Sequence, residues 1–180
     1  MSRRSIAAFA ILFVACKRPA DPPVVGPFVP DSVRGVPVEP AAVEKLGEGL
    51  VRVGKVCVDM SKRRLEAPGK INLASGILEY LAGGEGGKRH ESLLWLDVRP
   101  LHFQVGLILL GLHEGDGSVR LWLRVGGEVR PVEQFVWDRE KKAEMPIAPW
   151  KFVGSTVHDG RFIADDTKSL VATVPDPSAI

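Results

Sequence analysis

Alternation of apolar and polar residues is most regular over 118–125, which predicts a half-exposed strand. The apolar series is Val119, Leu121, Leu123 and Val125, and the polar series is Arg120, Trp122 and Arg124. Gly126-Gly127 follows, which is typical of a hairpin turn. This part of the chain therefore predicts two antiparallel strands, with Trp122 on the polar face.

Further strands are predicted from weaker patterns. Residues 50–59 alternate with a slip at Gly54-Lys55, which indicates one strand with a bulge. Pro68-Gly69 predicts a turn after a short polar strand. The remaining predicted strands are apolar or short and cover 77–82, 92–98, 150–153, 161–164 and 170–174.

A long apolar stretch after Pro100 predicts a helix, because proline suits a first helical turn. Between 101 and 112 nearly every residue is apolar, except His102 and Gln104, so we expect this helix to be packed on most sides. Many strands with one such helix predict the α+β class. We expect a mainly antiparallel sheet, one dominant buried helix at about 100–112 and short helical turns.

The N-terminus has the anatomy of a secretory signal. Arg3 and Arg4 precede an apolar run of roughly ten residues, which is too short to span a bilayer. The run ends at Ala15-Cys16, which resembles the lipobox of bacterial lipoproteins. That resemblance implies cleavage of residues 1–15, lipidation of Cys16 and an extracytoplasmic, membrane-anchored location in the bacterial cell envelope. An uncleaved signal anchor is the alternative.

Proline content separates a linker from a folded domain. Residues 17–42 contain seven prolines, which prevent a helix and disfavour a central strand. We therefore interpret residues 16–42 as a lipidated cysteine with an extended tether. Residues 43–180 have the typical size of a single globular domain.

Charge and cysteine content exclude several classes of function. The chain has 24 Lys and Arg against 22 Asp and Glu, and residues 1–15 hold two arginines and no acid, so the processed chain is formally neutral. A neutral surface gives no reason to expect a nucleic-acid partner. Two cysteines, Cys16 and Cys57, cannot supply the four ligands of an iron–sulfur cluster, and no cofactor is predicted.

Several segments together resemble the YdjY-type domain family. They are GILEYLAGGEGGKRHESLL, an apolar helix ending in LLGL, WKFVGS and RFIAD, which occur in this order over 51–174. The family occurs in bacterial envelope proteins, including lipoproteins, and has no established activity. Its ferredoxin-like description does not transfer to this chain, which lacks the cysteines. The resemblance places the family's Lys–His–Glu motif on Lys88, His90 and Glu91, and its Phe–x–Gly–Ser motif on Phe152, Gly154 and Ser155.

The loop from Lys88 to Glu91, with Arg89 and His90 between them, is the first candidate binding site. It follows Gly83–Gly87, which contains four glycines but lacks the Lys-Ser/Thr ending of a P-loop. A histidine beside a carboxylate can ligate a metal or transfer a proton. Adjacent residues of a strand point to opposite faces, however, so His90 and Glu91 need not act together. The alternative is that they cap the loop or form hydrogen bonds at the sheet edge. The sequence leaves the metal question open.

Ser155, His158 and Asp159 form the second candidate group and invite comparison with serine hydrolases. The segment Gly154-Ser155-Thr156-Val157 does not match the Gly-x-Ser-x-Gly elbow, and His158-Asp159-Gly160 is typical of a turn. We therefore name no catalytic residue and keep Ser155 and His158 as candidate binding residues.

Two functional hypotheses follow. The first is a membrane-anchored envelope lipoprotein without catalytic activity that binds an envelope protein or glycan near Gly83–Glu91, or serves a structural role. The alternative is a metal-binding protein or metal-dependent hydrolase that uses His90, Glu91 and a distant ligand such as His158 or Asp165.

Overall fold

The computed structural model describes the backbone of residues 9–16, and residues 42–115 and 117–180 in full. The strands are β1 (Phe9–Cys16), β2 (Val43–Gly47), β3 (Leu50–Val53), β4 (Val56–Asp59), β5 (Arg64–Ile71), β6 (Tyr80–Gly84), β7 (Ser92–Leu96), β8 (Gly117–Val125), β9 (Glu128–Pro131), β10 (Trp137–Asp138), β11 (Ala143–Glu144), β12 (Trp150–Phe152), β13 (Val157–His158), β14 (Arg161–Phe162) and β15 (Ser169–Ala172). The α-helices are α1 (Pro100–Leu109) and α2 (Ile163–Thr167), and 3₁₀ turns cover Arg89–Glu91 and Val132–Phe135.

One sheet of eleven strands contains most of these elements. Its main path is β12-β8-β1-β5-β4-β3-β2, and β9 pairs with β8 beside it. A second branch runs from β5 through β7 and β6 to β15. Neighbouring strands are antiparallel except β6 and β7, which are parallel. The short pairs β10–β11 and β13–β14 form two separate ribbons.

The prediction of an α+β fold with a dominant helix is wrong. Among the described residues, strands outnumber helical segments, which are limited to α1, α2 and two short 3₁₀ turns, and the seven-strand path is curled. The helix α1 lies where an apolar run predicted it, but it ends at Leu109 and has only ten residues. Leu110 and Leu112 are buried in the turn that follows, where Gly111 has φ +79°. The apolar run therefore reflects burial beyond the end of the helix.

A close approach of α1 to the sheet organises the core. The helix lies against β3, β4 and β5, and Gly106 is its point of contact. A Cβ atom at Gly106 would lie 2.6 Å from Leu65 Cδ1 and 3.2 Å from Val56 Cγ1. Glycine weakens a helix interior by about 1 kcal/mol relative to alanine, and here it lets the helix pack directly on buried strand residues.

Two predicted local features are wrong for identifiable reasons. Gly54-Lys55 is a tight hairpin turn between β3 and β4 rather than a bulge, since Gly54 has φ +58° and Val53 pairs with Val56. Pro68 lies inside β5 rather than in a turn. On one side β5 changes its partner from β4, last paired at Glu66, to β7, first paired at Gly69. Pro68 occupies this gap, where a missing N–H is tolerated.

The N-terminal segment Phe9–Cys16 forms strand β1 between β5 and β8. The predicted signal peptide, residues 1–15, overlaps this strand, so cleavage before Cys16 would remove Phe9–Ala15 from the sheet. The signal peptide remains a prediction. The predicted tether lies outside the described residues except for its ends, Cys16 and Ala42. Within 42–115 and 117–180, no helix combines the length and apolar character needed to span a bilayer.

Candidate functional site

The loop that carries Lys88, Arg89, His90 and Glu91 connects the parallel strands β6 and β7. It is held by the side chain of Ser92, at the start of β7, and by that of Asn72, which follows β5. Ser92 Oγ donates a hydrogen bond to the Lys88 carbonyl oxygen at 2.7 Å. Asn72 Nδ2 donates to the carbonyl oxygens of Arg89, at 2.5 Å, and Ser92, at 2.9 Å. Three such bonds fix the backbone of the 3₁₀ turn and so fix where its side chains project.

The preceding glycines serve close packing. Gly83 and Gly84 belong to β6 and are buried. A Cβ atom at Gly87 would lie 2.8 Å from Lys168 Cβ, so this glycine allows the loop to contact the residue between α2 and β15. Gly86 has φ +81° and open space around its Cα. Asn72, Gly87, Arg89 and Trp95 are among the residues that line a shallow depression without room for a water molecule, so any ligand here binds at the surface.

Two cations contact the ring of Trp95. Lys70 on β5 and Trp95 on β7 are direct cross-strand partners, and Lys70 Nζ lies 3.9 Å from the ring centroid. Arg89 Cζ lies 4.2 Å from the same centroid. Each contact of this kind contributes about 0.5–1 kcal/mol at an exposed position. We call Lys70, Arg89 and Trp95 the Trp95 face.

The charges of the Trp95 face are uncompensated within the described part of the chain. Lys70 and Arg89 are exposed, and Trp95 is half-buried. The ion pairs found within 42–115 and 117–180 include neither Lys70 nor Arg89. Two ordered cations without a carboxylate partner are suited to an anionic ligand.

Lys88, by contrast, is committed to an internal network. Its Nζ donates to Tyr80 Oη at 2.6 Å and lies 3.9 Å from Glu91 Oε1. Tyr80 Oη in turn donates to Asp176 Oδ2. The hydrogen bond with Tyr80 raises the pKa of Lys88 above its ordinary value. This network ties the loop to the C-terminal segment.

The two ends of that network also have shifted pKa values. Burial and the hydrogen bond to Asp176 raise the pKa of Tyr80. Burial of Asp176 opposes its ionisation, but hydrogen bonds from Ser178 and Tyr80 and the charge of Lys88 outweigh it and lower the pKa of the carboxyl. At neutral pH, Lys88 is therefore protonated and positively charged, Tyr80 is a neutral phenol and Asp176 is a carboxylate.

His90 and Glu91 are neighbours, with His90 Nε2 3.7 Å from Glu91 Oε2. His90 projects into solvent, with 83% of its side chain exposed, whereas Glu91 is 18% exposed. Within the described ranges, no three His, Cys, Asp or Glu side chains gather in a way that could hold a metal ion. Asp165, named above as a distant ligand, accepts hydrogen bonds from Arg99 Nε and the Leu101 N–H at the start of α1.

Ser155 and His158 lie in different environments. Ser155 is fully buried, and its hydroxyl donates to the Ser178 carbonyl oxygen at 3.1 Å and accepts from the Ala164 N–H at 3.1 Å. His158 is exposed beside Asp159 in the β13–β14 ribbon, with Nδ1 3.2 Å from Asp159 Oδ2. The hydroxyl of Ser155 is thus occupied by structural hydrogen bonds and does not face solvent.

Sequence reasoning located the loop but missed the residues that complete its surroundings. Lys70 and Trp95 meet only through the pairing of β5 with β7, a register that no local pattern reveals. Tyr80 and Asp176 are 96 positions apart in the chain. Among these residues, Asn72 is the one that the sequence could have indicated. It is a single amide after an apolar strand residue, and asparagine side chains often form hydrogen bonds with nearby backbone groups.

Comparison of the chain with protein-family models, with curated proteins and with solved structures gives no match. The resemblance to the YdjY-type family therefore remains a prediction based on the motifs quoted above.

Proposed function

We propose that the chain is a non-catalytic binding module of the bacterial cell envelope, anchored to the membrane through a lipidated Cys16. It binds an anionic group of an envelope protein or glycan at the Trp95 face. The observation that carries this proposal is the contact of two exposed cations, Lys70 and Arg89, with one half-buried aromatic ring. Neither cation has an ion-pair partner within 42–115 and 117–180.

The geometry favours recognition of carboxylates. A guanidinium can donate two parallel hydrogen bonds to a carboxylate, and the adjacent ammonium adds a point charge. The indole ring limits the freedom of both cations before a ligand arrives, which reduces the entropic cost of binding. A shallow, open surface of this kind suits an extended polymer better than a small molecule.

Catalysis receives no comparable support. Nucleophilic attack by serine requires a free hydroxyl next to a base, and the hydroxyl of Ser155 is buried and doubly hydrogen-bonded. The alternative, a metal-binding protein or metal-dependent hydrolase at His90 and Glu91, would need at least a third ligand near this pair. No specific observation within the described residues favours it.

The anchoring part of the proposal rests on the sequence of residues 1–16. It is tested by expressing the whole chain in a bacterium and comparing it with Cys16→Ser. We expect the unchanged chain in the membrane fraction with an N-terminal cysteine that carries acyl groups, and the variant without them. An unacylated, membrane-free wild-type chain would contradict anchoring.

The binding part is tested by titrating the full chain with hexaglutamate and trigalacturonate, which present carboxylates on a peptide and on a glycan. The variant Lys70→Ala/Arg89→Ala is compared with Lys151→Ala/Arg139→Ala, which removes two exposed cations elsewhere. We expect the first variant to weaken binding at least about tenfold, corresponding to about 1.4 kcal/mol, and the second to change it little. Equal losses would show that net charge alone attracts the probes.

A further inference from the structure

The segment Phe9–Cys16 occupies a central position in the sheet. It runs antiparallel to β5 on one side, from Phe9 opposite Lys70 to Ala15 opposite Arg64. It also runs antiparallel to β8 on the other side, from Ala10 opposite Val125 to Cys16 opposite Val119. Consequently β5 and β8 are parallel to each other and are bridged by one strand. We call this position the β1 slot.

The borders of the β1 slot belong to the core. Leu12 pairs in register with Ala67 of β5 and Leu123 of β8. Two residues further along β1, Val14 pairs with Leu65 of β5 and Leu121 of β8. The four bordering side chains of β5 and β8 are at most 3% exposed. A strand in the slot thus lies next to some of the most deeply buried residues of the domain.

Processing before Cys16 would empty this slot, because the predicted signal peptide includes seven of its eight residues. Adjacent strands lie about 4.8 Å apart, so β5 and β8 would then be separated by roughly 10 Å. Each would present a row of unpaired backbone N–H and C=O groups next to the core. Buried backbone groups are nearly always paired, and open strand edges recruit other strands.

The chain's own tether cannot replace β1. A central strand uses its N–H groups in both neighbouring ladders, which proline interrupts. The longest proline-free stretch between Cys16 and Pro40 is 31–36, between Pro30 and Pro37, and it contains Asp31 and Arg34. It is therefore both shorter and more polar than FAILFVAC, which has no charge and no proline. The same limit applies to the tether of a second copy.

From this arrangement we infer that the β1 slot of the processed chain is a strand-acceptor site for a separate envelope protein. The occupant is an extended segment of about eight residues, uncharged and free of proline, which runs antiparallel to both β5 and β8. This inference rests on the proposed function only for the cleavage that empties the slot. The Trp95 face lies on neighbouring strands, since Lys70 belongs to β5, so a strand donor would contact the domain beside it.

The test uses the full chain with Cys16→Ser and a protease recognition sequence inserted after Pro30. The folded chain is nicked, unfolded in urea and refolded by dilution with a tenfold excess of a labelled peptide. One peptide spans Phe9–Cys16 with an added lysine tail and serine for cysteine, and its matched control carries Leu12→Pro and Val14→Pro. Incorporation is read as label that co-elutes with the domain, and hydrogen exchange reports protection of β5 and β8.

We expect about one wild-type peptide per chain, with protection of β5 and β8, and at least tenfold less of the proline peptide. Failure of incorporation, or a difference smaller than tenfold, overturns the acceptor site. The N-terminus of the membrane-bound chain provides the second readout. We expect it at Cys16, and a chain that retains 9–15 overturns the proposal because the slot stays filled from within. Loss of carboxylate binding at the Trp95 face leaves both readouts unchanged, so the two failures are distinguishable.

Discussion

Gln104 and Ser155 form a two-way hydrogen-bonded pair across the core. Gln104 Oε1 accepts from the Ser155 N–H at 2.8 Å, and Gln104 Nε2 donates to the Ser155 carbonyl oxygen at 3.2 Å. The same Nε2 donates to Glu114 Oε1 at 2.8 Å. Gln104 is fully buried, so the pair ties α1 to the segment after β12. The backbone of Ser155 is thereby part of the contact between the helix and this segment.

Replacement of Gln104 by leucine tests this role. The change leaves the backbone groups of buried Ser155 without the partners they have now, and Glu114 without its donor. Because unsatisfied buried polar groups cost about 1–3 kcal/mol each, we expect Gln104→Leu to lower the free energy of unfolding by about 2–4 kcal/mol. Urea denaturation measures it. The control Gln134→Leu, at an exposed position, should change stability by less than about 0.5 kcal/mol. Similar effects of both changes would contradict the account.

Gly106 tests the packing of α1 on the sheet. Alanine is the better helix former by about 1 kcal/mol, but its Cβ would lie 2.6 Å from Leu65 Cδ1. Overpacking of this kind costs about 1–3 kcal/mol, so we expect a net loss of stability in thermal denaturation. Gly47→Ala, where the added Cβ meets nothing within 4 Å, serves as control and should be close to neutral. A stabilised Gly106→Ala would show that the helix lies farther from β5 than described.

The lowered pKa of Asp59 predicts how the free energy of unfolding depends on pH. Hydrogen bonds from Ser61 Oγ, at 2.6 Å, and the Lys62 N–H, at 2.9 Å, lower the pKa of Asp59 from 3.8 to about 2. Since the folded pKa is depressed, the stabilisation is fully present above pH 3.8 and is lost as pH falls toward 2. We expect Asp59→Ala to cost about 1 kcal/mol at pH 7 and roughly half of that at pH 3.

Denaturation curves at both pH values, with Asp97→Ala as control, check this expectation. Asp97 pairs with Lys55 at 2.7 Å, but both side chains are more than 60% exposed, so its replacement should cost less than about 0.5 kcal/mol. A cost of Asp59→Ala that is the same at pH 7 and pH 3 would contradict the role assigned to the carboxylate.

Sequence patterns predicted elements whose signal is local. The alternation over 118–125 is confirmed, since Val119, Leu121 and Leu123 are buried and Trp122 is 37% exposed. A helix does begin at Pro100, as the apolar run predicted, but it ends at Leu109 and does not dominate the fold. Its predicted length was wrong because buried loop residues have the same apolar composition as a buried helix. The role of Pro68 depends on β5 exchanging one partner for another, which is a property of the whole sheet.

In the candidate site too, some residues could be identified from local sequence, whereas others depend on how the strands pair. Lys88–Glu91 follows a run of glycines and was recognisable, whereas the ring that contacts Arg89 belongs to β7 and the second cation to β5. Ser155 was selected by its residue type, although its surroundings make it structural. Chemistry-bearing residues can thus be found from composition, but their partners depend on strand register.

The central claim, that the Trp95 face binds carboxylates, is tested most directly by NMR. Hexaglutamate would be titrated into the labelled full chain while backbone and indole N–H signals are recorded. The account predicts that the Trp95 indole and the amides of Lys70 and Arg89 shift together with one dissociation constant, and that signals on the distant ribbon β10–β11 do not. Shifts spread over the surface, or absent at Trp95 when binding occurs, would contradict it.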